Sequence, residues 1–236
     1  MARLLVISAH SGDFVWRAAG AIASCVENGG EAHVIALSYG ERGESGELWR
    51  VPGQTVENVK ATRHREAEAA TAALGATFEA YDLGDYPLTV EPATVERLTE
   101  RMRELRPEIV ITHAPVDPFN PDHGTAHAAA ARARQLATGS AVPSAFETIA
   151  PPQLLLFEPH QPELCEFVPT TFLDITPVWE KKLAAMEAME AQRYLRQYYA
   201  ERAEHRANHA RWSSGNSRIA YAEAFQRHSP QVVDRL

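Results

Sequence analysis

Cysteine is scarce. Cys25 and Cys165 are the only two in 236 residues, and neither belongs to a CxxC pair. That excludes a disulfide-stapled scaffold and a cysteine-rich zinc module, and a reducing cytoplasm is the expected compartment. Positive charge is also in short supply: 23 Lys and Arg against 31 Asp and Glu leave a net charge of -8, with no basic cluster. Nucleic acid and anionic membrane surfaces are therefore not expected partners. Long apolar runs are missing too, so no stretch reaches the length of a bilayer span. The apolar start, Met1 to Ser8, is too short for a signal sequence and has no small-residue cleavage site.

What is present is an alternation of short apolar runs with helical spacing. Leu4–Ala9 reads as a buried parallel strand, Phe14–Asn28 as a helix stopped by Gly29-Gly30, and Ala32–Tyr39 as a second strand. Gly40–Pro52 is glycine-rich and reads as an irregular loop rather than a helix. Thr55–Leu74 is helical with Gly75 as its stop. Phe78–Leu83 is a third strand, Pro92–Leu105 a helix, and Ile109–Thr112 a fourth strand. Further on, Gln153–Phe157 and the segment from Leu173 are strand-like. Trp179–His209 is mostly helical, and Tyr221–Phe225 suits either state. The pattern predicts an α/β fold, a Rossmann-like three-layer sandwich with a mostly parallel sheet. No linker, repeat or low-complexity tract divides the chain, so one domain over residues 1–236 is expected, with a helical C-terminal region at about 177–212. The dinucleotide glycine fingerprint does not follow the first strand, where Ser11-Gly12 is a lone fragment, so no NAD site is expected.

Ligands of such sheets collect at the carboxyl ends of the strands. His10 and Asp13 stand in Ala-His10-Ser-Gly-Asp13, just past the first strand, and His123 stands in Asn120-Pro-Asp-His123, past the fourth. Two imidazoles and a carboxylate suit a divalent metal with an open coordination position, which is the catalytic arrangement. Zinc fits this donor set, and iron or manganese fit it as well. Taken singly, Asp13 could instead be a helix cap and His123 a turn residue. Asp117 and Asp122 are placed to orient the ligands, and His127, one helical turn after His123, reads as a support rather than a ligand.

Ala9-His10-Ser-Gly-Asp13, Ser38-Tyr-Gly-Glu41-Arg-Gly and Asn120-Pro-Asp-His123 resemble, in order, the motifs of the LmbE-like (PIG-L) zinc deacetylases. The resemblance implies that His10, Asp13 and His123 bind zinc. Two positions depart from it. Gly12 stands where that family has the aspartate that acts as general base, and Asn120 where it has the first histidine of His-Pro-Asp-His. Glycine cannot take a proton, so the metal cage is kept while the amide-hydrolysis base is lost.

Glu41, Glu44, Glu47, His113, His127 and His160 are the candidates to replace it. Glu44 is the chosen carboxylate and His160, held between Pro159 and Pro162, the chosen imidazole. The pattern extends through Phe-Glu-Pro-His160-Gln-Pro-Glu and Phe-Leu-Asp-Ile-Thr. As a whole it resembles a hydratase branch of the family, the 4-oxalomesaconate hydratases of bacterial gallate catabolism. That branch implies a lyase adding water to the C=C bond of an unsaturated oxo-tricarboxylate, with the zinc-dependent N-deacetylase of an N-acetylated sugar as the alternative. Arg17, Arg42, Arg50, Arg218 and Asn120 are candidates to bind the substrate carboxylates. The expected partner is a small anionic carboxylate, and a homo-oligomer is expected.

Overall fold

A computed structural model describes residues 2–232. Seven strands form one sheet: β1 (Arg3–Ser8), β2 (Glu31–Ala36), β3 (Thr77–Ala80), β4 (Ile109–Thr112), β5 (Gln153–Phe157), β6 (Thr171–Asp174) and β7 (Ala222–Arg227). Their order is β3-β2-β1-β4-β5-β7-β6. β1 to β5 run parallel, while β7 pairs antiparallel with both β5 and β6.

Alternation in β1 shows why its run reads as continuously apolar. Leu4 and Val6 enter the core beneath one helical layer, and Leu5 and Ile7 the core beneath the other. A strand covered on both faces has no polar side to present. One layer holds α1 (Asp13–Glu27), α3 (Val56–Leu74), α6 (Trp179–Glu187) and α7 (Leu195–Ser214). The other holds α4 (Pro92–Leu105) and α5 (Pro121–Ala137). Local chemistry sets the ends. Thr55 Oγ1 accepts the Asn58 amide to start α3, Gly75 closes it in the left-handed region, and Pro92 opens α4.

Four expectations change, and one left open is settled. The second strand ends at Ala36, short of Tyr39. The Gly40–Pro52 loop contains one helical turn, α2 (Gly46–Trp49), because only Gly40 and Gly53 use left-handed backbone there, while Gly46 is helical. The third strand ends at Ala80, short of Leu83, since Asp82 turns to a positive φ of 55°. The long C-terminal helix breaks after Glu187 into a 3₁₀ turn at Glu190–Gln192, then resumes as α7. Tyr221–Phe225 is extended, most of it within β7.

The middle of α1 carries an inserted ion pair. Glu223 on β7 accepts the amides of Gly20 and Ala21 at 2.8 Å each, and Lys182 on α6 donates to the Trp16 carbonyl at 3.0 Å and to Glu223 at 2.6 Å. Charged side chains entering the helix ladder are a recognised cause of bending. Gly20 is required here, because a Cβ would lie 2.5 Å from Ile175 Cγ2. This anchor fixes the helix whose first turn carries Asp13 and Arg17.

Candidate metal-dependent active site

β1 and β4 are neighbours at the point where strand order reverses, and the loops beyond their carboxyl ends supply the site. His10 leaves β1, Asp13 opens α1, His113 leaves β4, and His123 lies in the first turn of α5. All four are buried. Asp13 is more than a cap. One oxygen accepts the His10 amide at 2.8 Å and stands 3.3 Å from both His10 Nδ1 and His113 Nε2, and the other stands 3.5 Å from His123 Nε2.

His10 Nδ1 and His123 Nε2 have no hydrogen-bond partner although both are buried. Their opposite ring nitrogens are held: His10 Nε2 by Asp122 at 3.2 Å and His123 Nδ1 by Asp117 at 2.8 Å. Two orphaned imidazole nitrogens beside a carboxylate, each ring fixed by a second carboxylate, is how metal-binding histidines are held. Electrostatics agree. Burial alone would push the His10 imidazole down, yet Asp122, Asp13 and Glu44 hold it up at about 10. That is a site that calls for positive charge. Among the described residues two donor groups could hold a cation, His10 with Glu44 and His123, and Asp13 with His113 and His123, so the three predicted ligands are spread over both with His123 common to them. Glu44 Oε1 lies 3.9 Å from His10 Nδ1.

His113 was weighed only as an acid or base. It stacks flat on His123 with ring centres 4.0 Å apart, and its Nε2 accepts the Ala9 amide at 3.0 Å. Burial and the neighbouring His123 drive its pKa down to about 3, so it stays neutral. It packs against the His123 ring, and its own Nδ1 is buried without a hydrogen-bond partner. His127 fastens the same strand end, its Nδ1 2.8 Å from the His113 carbonyl.

A cavity of about 280 Å³ opens above these residues, and both Glu44 and His160 line it. Of the three loop glutamates, Glu44 alone reaches it. Glu41 is fully buried beneath the loop, 3.7 Å from Lys60, and Glu47 pairs with Arg50 at 2.9 Å. The Glu44 carboxylate accepts from Asn120 Nδ2 through Oε1 and from Gln192 Nε2 through Oε2, both at 2.9 Å. His160 is fixed by α7 rather than by its prolines. Its Nδ1 lies 3.0 Å from the Tyr199 hydroxyl, its ring stacks on Tyr198, and its carbonyl accepts from Tyr198 and Arg202. Burial, aided by Arg17 and Arg202, lowers its pKa to about 4.

The five substrate-binding candidates separate. Arg17 and Asn120 line the cavity. Arg17 Nε and Asn120 Oδ1 are buried without a hydrogen-bond partner, the nearest carboxylate to Arg17 Nε being Asp13 at 3.9 Å, so both can receive a ligand. The other three arginines stay outside it. Arg42 is exposed and tied to the Asp85 carbonyl, Arg50 projects into solvent beside Glu47, and Arg218 is exposed beyond α7. The sequence reading missed Gln192, Tyr86, Tyr194 and Tyr199, which complete the wall. Tyr86 was within reach, because its Gly-Asp-Tyr-Pro turn follows the third strand. The other three sit in a stretch whose composition reads only as helix.

Residues 5–134 match the family model described as PIG-L, GlcNAc-PI de-N-acetylase. The chain is 45% identical to the 4-oxalmesaconate hydratase of Pseudomonas putida KT2440, over 98% of this chain and 91% of that protein. It superposes at a TM-score of 0.97 on the crystal structure of GalB, the 4-carboxy-2-hydroxymuconate hydratase of the same organism, with 45% identity and all of both chains covered. The N,N'-diacetylchitobiose deacetylase of Pyrococcus horikoshii shares the fold at a TM-score of 0.78 and 18% identity, covering 95% of this chain and 83% of that one. With its motif order, its α/β sheet and its buried imidazole–carboxylate centre in agreement, this chain belongs to the PIG-L family.

Proposed function

We propose that this chain is a metal-dependent hydratase that adds water across the carbon–carbon double bond of 4-oxalomesaconate, an unsaturated oxo-tricarboxylate of gallate catabolism, and that it works in the cytoplasm. One observation carries this reading. Glycine stands at position 12 beside an intact His10–Asp13–His123 centre, while Glu44 and His160 line the cavity above it. Similarity to the Pseudomonas putida hydratase over nearly the whole chain supports the substrate.

His10, Asp13 and His123 would hold the metal, and zinc is the ion proposed. When bound it polarises a substrate oxygen and so stabilises the negative charge that develops as water adds. Arg17, buried at the cavity wall, takes a carboxylate of the substrate. Glu44, oriented by two amides, accepts a proton from the attacking water. His160 is neutral before substrate arrives. The negative charge of a bound polycarboxylate raises its proton affinity, so it takes a proton from solvent and delivers it to the neighbouring carbon, while Glu44 returns the proton of the attacking water to solvent. The sum is one water added: hydroxyl to one carbon, hydrogen to the other. Deacetylation is disfavoured because Gly12 stands where the family has its general base, and Asn120 where it has the histidine that aids the tetrahedral oxyanion.

The test uses purified protein loaded with zinc. Incubation with 4-oxalomesaconate should bleach the conjugated chromophore, and an N-acetylglucosamine derivative should release no amine. Amine release without bleaching would reverse the assignment.

A further inference from the structure

We infer that Gln192 is the positioning residue that sets Glu44, and that position 12 is glycine because Gln192 occupies the volume a side chain there would need. A Cβ built on Gly12 runs into Gln192 Oε1 and lies 2.6 Å from Arg63 Nη2 and 3.3 Å from Met189 Cε. The role of Glu44 rests on the hydratase reading, whereas the packing of Gln192 over Gly12 does not.

The Gln192 amide has only one workable orientation. Its Oε1 accepts from Arg63 Nη2 at 2.9 Å and from Trp16 Nε1 at 3.2 Å, so its Nε2 must face Glu44 Oε2. A flipped amide would set donor against donor. Arg63 is itself fully buried and paired with Glu66 at 2.8 Å, and the other oxygen of Glu66 accepts the Ala191 amide at 2.8 Å. Backbone and side chain of the turn before α7 are thus tied to one ion pair. That pair reaches Glu44 through Gln192, while Asn120 holds the opposite oxygen. Glu44 sits on a glycine loop and has three side-chain torsions to fix. A primary amide fixes a carboxylate without donating a full positive charge, so the oxygens stay able to take a proton. A side chain at position 12 would push Gln192 aside and free Glu44.

Four variants of the metal-loaded full-length protein test this. Gln192→Met keeps the volume and removes the donor. Its kcat should fall about 100-fold, the cost of a small misplacement, with KM and metal content little changed and with Glu44 displaced in its crystal structure. Gly12→Ala should lower Tm in the wild-type background and cost little more in Gln192→Ala, because the shared volume is already empty. Wild-type kcat in Gln192→Met, an unmoved Glu44 carboxylate, or additive Tm losses in the cycle would each overturn the inference. If wild type itself hydrates nothing, the hydratase reading falls, and the crystal structure and the Tm cycle still decide the placement of Gln192.

Discussion

Asp122 Oδ2 stands 3.2 Å from His10 Nε2 and 2.9 Å from the Tyr86 amide, while Oδ1 of the same side chain accepts the Leu88 amide at 2.8 Å. One carboxylate on α5 therefore orients the His10 imidazole, a proposed ligand that follows β1, and pins the loop that follows β3. Burial opposes its charge, but the His10 bond and the two amides hold its pKa at about 2. The His10 ring is preorganised by a residue outside the proposed ligand set.

Asp122→Asn should keep the fold and weaken metal binding about 10- to 100-fold, the usual cost of losing a carboxylate behind a ligand histidine. Asp117→Asn should do the same through His123 Nδ1. Competition with a chromophoric chelator at neutral pH measures both. Wild-type affinity in either variant would show that the carboxylate behind that imidazole contributes nothing to the grip.

Arg17→Met should raise KM more than it lowers kcat. The loss of a charge-assisted pair to a substrate carboxylate corresponds to about a 10- to 100-fold weaker interaction. Lysine should not restore it, since a point charge lacks the planar fork. An unchanged KM for the tricarboxylate would remove Arg17 from the binding role.

His160 gives a pH signature. Its folded pKa of about 4 lies below the ordinary 6.5. Between those values the unfolded chain takes up a proton that the folded chain refuses, so stability falls as pH drops through this window. Above about 6.5 both states are neutral and His160 contributes no slope. Urea midpoints from pH 7 to 4 should therefore fall less steeply in His160→Gln than in wild type. Parallel curves would mean that burial does not penalise the charged imidazole.

Lys182→Met should destabilise the chain by about 3–5 kcal/mol, because it leaves the buried Glu223 carboxylate without its cation. Glu223 stays beneath α1 with only the Gly20 and Ala21 amides as partners. Double replacement of Lys182 and Glu223 by apolar residues should recover part of that loss. Thermal unfolding of the single and double variants measures it.

Local pattern was enough to read the strand-and-helix alternation and the places where candidate metal ligands stand. The central strands β1 and β4 are short runs whose two faces are both buried, and Gly75 or Pro92 marks a boundary by its own backbone limits. His10, Asp13 and His123 were legible because strand ends are where such sheets gather ligands. Tertiary structure alone decided the rest. It chose Glu44 over Glu41 and Glu47, kept Arg17 while turning Arg42, Arg50 and Arg218 outward, and brought Gln192 and Tyr199 from 180 residues away in sequence to the wall facing Asp13. Which of several like residues meets a site depends on the path of loops and on hydrogen bonds between distant segments. No local pattern encodes those distances.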